Sequence, residues 1–366
     1  MADTRQVLII HGWSDDSKSF EPLADFLEKQ GYSPRSLWLG DYISLDDDVR
    51  IEDVAKRLHE VVSLQIASRK LSPQFDMIVH STGGLVARRW ISSYYPDGRD
   101  QHAAPCPVQR LLMLAPANFG SPLALQGQSM LGRLVKGWKN WFHTGREMLR
   151  ALEPGSQFQW DLAAADLFNS PGSRGGTPYG SQKVMPFVIT GTHPYTEQLR
   201  KILNENGSDG TVRVPAANLN ARGITIDFAA DESNPVKNAW EPKHGDLMFP
   251  FAVLPDRTHS SVLNPETNEL NSSAALAGRL GTLIKDALEC PPTAAKYSEI
   301  ANRWQAISEE TATFTDEGCR VSAGLSDSHT AYYHQYMQVL VRVTDDHGAD
   351  VDDYFLEFFD PETKDD

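Results

Sequence analysis

Up to about residue 290 the chain alternates short apolar runs rich in Val, Ile and Leu with amphipathic helical stretches. Runs that short and that continuously apolar are strands buried on both faces, and helices crossing between them force the strands to lie parallel. The expected strands are Val7–Ile10, Leu37–Leu39, Met77–Val79, Leu111–Leu114, Phe187–Thr190 and Phe251–Leu254, with expected helices such as Phe20–Lys29 and Ile51–Ile66 between them. Ligands of such sheets bind beyond the carboxyl ends of the strands. The residues that follow each apolar run are therefore the ones to read for chemistry.

The 366 residues, at roughly 150 per domain, allow one large domain and a smaller one. The sequence places the first at residues 1–290 and the second at 291–366. After Cys290-Pro291-Pro292 a helical piece is expected over Tyr297–Ile307, followed by alternating, aromatic-rich runs at Tyr332–Val343 and Val351–Phe359. Asp345-Asp346-His347-Gly348 reads as a hairpin turn between those runs, so the accessory region is expected to be mainly β. Apolar residues make up 40% and charged residues 23% of the chain, ordinary usage for a globular protein. No apolar run approaches the roughly 18 residues of a membrane span. The first strand begins within ten residues of Met1, which leaves no room for a signal peptide; the default location is cytoplasmic, with signal-independent secretion left open. A formal charge of −15 repels phosphate backbones and argues against nucleic acid as a partner. The three cysteines, Cys106, Cys290 and Cys319, have no metal-ligand rhythm and read as reduced fillers.

The most specific stretch is Asp76-Met77-Ile78-Val79-His80-Ser81-Thr82-Gly83-Gly84-Leu85. A buried strand ends, a serine follows, and a helix opens with two glycines. A tight strand-to-helix turn of this kind projects Ser81 Oγ from the sheet beside a helix N-terminus, where developing negative charge is favoured. In this stretch the chain resembles the α/β-hydrolase superfamily, in particular its lipase-like branch. That resemblance covers about residues 5–290 and implies a mostly parallel sheet flanked by helices with a lid-like insertion; the small C-terminal β-rich region rests on its alternating residues alone. The family motif is G-x-S-x-G, and Val79 departs from it at the first glycine. Ile9-Ile10-His11-Gly12-Trp13 closes the first strand. By the same resemblance the backbone amides of Trp13 and Thr82 form the oxyanion hole, worth several kcal/mol to a tetrahedral transition state. Leu114-Ala115-Pro116-Ala117-Asn118-Phe119-Gly120-Ser121-Pro122 looks like the stretch lipases carry after the next strand, and receives no catalytic role.

Asn206-Gly207-Ser208-Asp209-Gly210-Thr211-Val212 resembles the acid-bearing turn of lipases, although the same letters also spell a plain turn. Leu254-Pro255-Asp256-Arg257-Thr258-His259 sets a histidine just beyond the last apolar strand. The chain order Ser, Asp, His is that of the family, which implies Ser81 as nucleophile, Asp209 as acid and His259 as base. His193 and His244 rival the histidine, and Asp246 and Asp256 rival the aspartate.

Between about 125 and 180 the family inserts its lid. Met130, Leu131, Leu134, Val135, Trp138, Trp141 and Phe142 recur at helical period, opposite Arg133, Lys136 and Lys139. Such a helix either caps the core permanently or lines an acyl pocket through Trp138, Trp141 and Phe142, its cationic flank making transient contact with a membrane or lipid surface. The expected activity is hydrolysis of carboxylic esters, lipid esters above all, through an acyl-enzyme and without metal or organic cofactor. Short-chain esterase, thioesterase and acyltransferase share the same three side chains. A catalytically silent binding module on the same fold is the alternative of another class.

Overall fold

Residues with no polar alternation have two faces to bury, and the strands do so. The computed structural model describes residues 5–11, 17–37, 48–96, 105–124, 146–169, 176–193, 195, 204–229, 231–266, 276, 278–314, 319–322 and 328–358. Six strands make one parallel sheet: β1 (Gln6–Ile10), β2 (Ser33–Leu37), β3 (Phe75–His80), β4 (Val108–Leu114), β5 (Met185–Gly191) and, after a hairpin, β8 (Phe251–Leu254). Their spatial order is β2-β1-β3-β4-β5-β8. Every residue of β3 and β5 is buried, so helices must cover both faces of the sheet. Those helices are α1 (Glu21–Lys29), α2 (Ile51–Ala67), α3 (Gly83–Tyr94), α4 (Arg146–Leu152), α5 (Gln157–Asp166), the short α6 (Val214–Ala217), α7 (Arg279–Glu289) and α8 (Ala294–Thr313).

The second strand differs from its expected place. The apolar run suggested Leu37–Leu39, whereas β2 is Ser33-Pro34-Arg35-Ser36-Leu37 and only its last residue is buried; residues 38 and 39 lie outside the described residues. An edge strand needs apolar side chains only where it meets the core. Pro34, which has no amide hydrogen to give, is tolerated at an edge. An antiparallel hairpin, β6 (Ile224–Asp227) with β7 (Val236–Ala239), stands exposed between α6 and β8 and was not expected.

At the far edge α8 closes the sheet. Thr311 Oγ1 donates to the Val253 carbonyl at 2.7 Å, and Ser308 Oγ donates to the Phe251 carbonyl at 3.0 Å while accepting the Val253 amide at 3.1 Å. Tyr297 and Trp304 are fully buried in the same core as the strands, and the Tyr297 hydroxyl donates to the Pro186 carbonyl of β5. The helix expected at the head of the accessory region thus shares a core with the sheet. Beyond it, β9 (Cys319–Ser322) pairs with β10 (Ser328–Ala331). Residues 332–358 contain the expected turn: Asp345 Oδ1 accepts from the amides of His347 and Ala349, and Val351 N bonds Val343 O. Among the described residues the flanking runs make a single bridge, Thr344 to Asp350, rather than a strand ladder. Of the expected lid, α4 and α5 are described, and residues 125–145 and 170–175 lie outside the described residues. No helix among the described residues is long and apolar enough to cross a membrane.

Candidate active site

Ser81 follows β3 directly, with φ of +54°. That left-handed conformation is costly for a side-chain-bearing residue and persists only where neighbours impose it. They do so from both sides. Ser81 N donates to the Leu114 carbonyl at the end of β4 at 3.1 Å, and Ser81 O accepts from Gly84 N at 3.0 Å and from Ala117 N at 3.3 Å. The two glycines open the space for this crossing. A Cβ on Gly84 would lie 2.9 Å from Pro116 Cβ, and one on Gly83 would lie 3.3 Å from the Ile10 carbonyl and 3.5 Å from Val79 Cβ. Val79 therefore fits where the family motif carries glycine, because Gly83 opposite it has no side chain. The same closeness sets the end of β1 against the first turn of α3.

The imidazole of His259 spans the distance to the acid. Its Nε2 lies 3.0 Å from Ser81 Oγ, and its Nδ1 lies 2.9 Å from Asp209 Oδ2. A carboxylate only accepts, so in the neutral imidazole Nδ1 carries the hydrogen and Nε2 presents a lone pair to the serine hydroxyl. Asp209 is fully buried, and its other oxygen, Oδ1, accepts from the amides of Thr211 at 2.9 Å and Val212 at 2.8 Å. The turn is shaped by glycine: Gly210 has φ of +95°, and a Cβ there would strike the Tyr195 ring at 2.6 Å. Acid and base are also joined through the backbone, His259 N donating to the Asp209 carbonyl at 2.9 Å. The structure brings Ser81, His259 and Asp209 together at the carboxyl ends of β3 and β8.

His193 is buried with its Nδ1 2.7 Å from the Tyr333 hydroxyl. His244 packs its ring on Phe249, and burial lowers its pKa. Asp246 is exposed, and Asp256 is buried 3.7 Å from the Arg257 guanidinium. Thr82 caps the N-terminus of α3, where backbone amides lack intrahelical acceptors. Trp13, Trp138, Trp141 and Phe142 lie outside the described residues.

Two residues next to the chemistry carried no role in the sequence reading. His80 is buried, and its Nε2 donates to the His259 carbonyl at 2.8 Å with the two rings 4.6 Å apart. Ser121 Oγ donates to the Thr211 carbonyl at 2.6 Å and so supports the acid turn from the stretch after β4. The Ser-Pro at 121–122 was a visible signal for the second, whereas His80 offered only its adjacency to the nucleophile. Farther along α3, Arg88 is buried and grips Asp166 of α5 with two hydrogen bonds, at 2.8 and 3.0 Å. Tyr179 donates to Asp166 Oδ2 at 2.9 Å, and burial pushes its phenol well above the ordinary value. Tyr179 thus stays a neutral donor, and α3, the helix that follows Ser81, is anchored to α5.

No protein-family model matches the chain, and no curated protein sequence matches it. Among solved structures it is similar to phospholipase PlaB from Legionella pneumophila in complex with thio-NAD. That similarity has a TM-score of 0.73 at 26% identity and covers 95% of this chain and 71% of that one. A second structure of phospholipase PlaB from the same organism gives a TM-score of 0.74 at 25% identity, over 95% and 72% of the two chains. With the strand order and the elbow at Ser81, these similarities show the α/β-hydrolase fold of the lipase-like branch.

Proposed function

We propose that the protein hydrolyses carboxylic esters through an acyl-enzyme on Ser81, and that its substrates are lipid esters, phospholipids among them. One geometric relation carries the reading: a serine hydroxyl held out on a left-handed elbow, 3.0 Å from an imidazole nitrogen whose partner nitrogen lies 2.9 Å from a buried carboxylate. The similarity to a phospholipase over 95% of the chain supports the lipid class of substrate. In this reading His259 Nε2 takes the Ser81 proton as Oγ attacks the ester carbonyl. Asp209 holds the Nδ1 hydrogen and stabilises the imidazolium that forms. The Thr82 amide is assigned to hold the developing oxyanion, together with the Trp13 amide that the family resemblance implies. His259 returns the proton to the leaving alcohol, and water activated at the same nitrogen then frees the acid.

A fluorophosphonate probe and a series of p-nitrophenyl esters test both parts. The wild-type protein is expected to take up one probe at Ser81 and to prefer acyl chains longer than butyrate. Ser81→Ala is expected to lose labelling and at least ~10³-fold of kcat. An unlabelled wild-type protein points to a silent binding module, a preference for butyrate or shorter removes the lipid class, and transfer to an added alcohol in place of water marks an acyltransferase.

A further inference from the structure

Four of the hydrogen bonds that hold the loop carrying His259, residues 255–259, come from segments distant in sequence. The Arg257 carbonyl accepts from His193 N at 3.1 Å, His259 N donates to Asp209 O at 2.9 Å, and His80 Nε2 donates to the His259 carbonyl at 2.8 Å. All three come from the hydrolase core. The fourth comes from the C-terminal region: the Tyr333 hydroxyl donates to the Pro255 carbonyl at 2.7 Å. Since that hydrogen is committed to a carbonyl, the phenol oxygen is left to accept, and it accepts from His193 Nδ1 at 2.7 Å. Tyr333 is buried, and its own amide bonds the Phe314 carbonyl at the end of α8 at 3.2 Å. The Tyr333 backbone is thus tied to the end of α8, and its hydroxyl to His193 as well as to the loop.

The segment that follows runs along the same rim. The Tyr336 ring lies over Gly207 in the acid-bearing turn, so close that a Cβ there would stand 2.3 Å from it. Gln338 Nε2 donates to the Phe119 carbonyl at 3.2 Å, in the stretch whose Ser121 supports that turn. One strap therefore touches the base loop, the acid turn and the support of the acid turn in succession.

We infer that Tyr333 is a positioning residue for His259, and that the strap of residues 333–338 sets the alignment of base and acid from the C-terminal region. The inference rests on the proposed roles of Ser81, Asp209 and His259. Its physical basis is that the Pro255 carbonyl, freed of its phenol, lets the loop shift by the fraction of an ångström that separates a productive His259 from an unproductive one, a scale on which rates fall steeply.

Tyr333→Phe keeps the ring and removes the hydroxyl. In the full-length protein it is expected to lower kcat on a p-nitrophenyl ester by roughly tenfold with KM within twofold, to slow fluorophosphonate labelling of Ser81 by the same factor, and to quicken amide exchange over residues 256–259. Tyr332→Phe, at an exposed neighbour, is expected to leave all three unchanged. His193→Asn retains a donor near the position of Nδ1 and is expected to keep most of the activity, whereas His193→Leu is expected to match Tyr333→Phe; this pair decides the matter should Tyr333→Phe not fold. Unchanged kcat and exchange in Tyr333→Phe and His193→Leu overturn the inference. Faster exchange in a protein whose wild type turns over no ester leaves the positioning role standing and sinks the proposed function instead.

Discussion

The two oxygens of Asp209 are not equivalent, and that asymmetry gives a sharp expectation for Asp209→Asn. Oδ1 accepts from two backbone amides, Thr211 and Val212, so an amide side chain must keep its carbonyl oxygen there. Its NH2 then faces His259 Nδ1, which has to accept, and the imidazole hydrogen moves to Nε2. The nitrogen beside Ser81 Oγ loses its lone pair with little change of structure. A fall in kcat of about 10³ to 10⁴-fold at neutral pH follows, with melting temperature nearly unchanged; steady-state kinetics beside thermal melting checks it, and a mild effect on kcat counts against the assigned acid. Ser81 and His259 were legible as candidates because the first directly follows an apolar strand and the second comes a few residues beyond another, in the chain order of the family that the sequence resembles. Asp209 was less so, since Asn-Gly-Ser-Asp-Gly is also how a surface turn is written, and only burial, which no local pattern reports, separates the two. His80, Ser121 and Tyr333 act through backbone carbonyls of segments distant in sequence, and a contact between a side chain and a remote carbonyl leaves no spacing to read.

Elements were legible in proportion to their burial. β3, β4, β5 and β8 are apolar runs and stand where such runs placed them, each within a few residues, whereas the edge strand β2 is polar for most of its length and was found one turn of chain too late. The helix α8 was seen but assigned to the accessory region, because Cys290-Pro291-Pro292 looks like a boundary. The feature that attaches it to the sheet is two hydroxyls, Ser308 and Thr311, meeting the backbone of β8. A parallel sheet ending at β8 would otherwise leave a row of unpaired groups. Thr311→Val keeps the volume and leaves the buried Val253 carbonyl without this partner, so a loss of about 1 to 3 kcal/mol of stability is expected in denaturant titration. Thr311→Ser, which retains the hydroxyl, is expected to recover most of it. Equal stability of the valine variant and the wild type contradicts this account of the edge.

At the scale of the whole molecule, acid acts on stability in two opposing ways. The net charge of −15 diminishes as carboxylates take up protons, which relieves self-repulsion in the compact state. Against this stand histidines that the fold keeps neutral. Burial lowers the pKa of both His59 and His244 below the free value of 6.5. At His59 burial outweighs the opposing charge of Glu60, and the groups that cover the ring are visible: the Trp90 indole donates to Nδ1 at 3.3 Å, and the ring stacks on Tyr94 with centroids 3.8 Å apart. Nδ1 must offer a lone pair to the indole, so protonating it breaks this one hydrogen bond between α2 and α3. With the folded value lowered, the unfolded chain binds more protons below pH 6.5, and this contribution to stability, fully present above that pH, is lost as the pH falls through the lowered folded value. His59→Asn offers Oδ1 to the same indole and does not titrate. The melting temperature of the wild type is therefore expected to fall more steeply than that of His59→Asn between pH 7.5 and 5.0, the two curves converging at the alkaline end. Parallel curves across that range require that the α2–α3 contact be indifferent to the charge on His59.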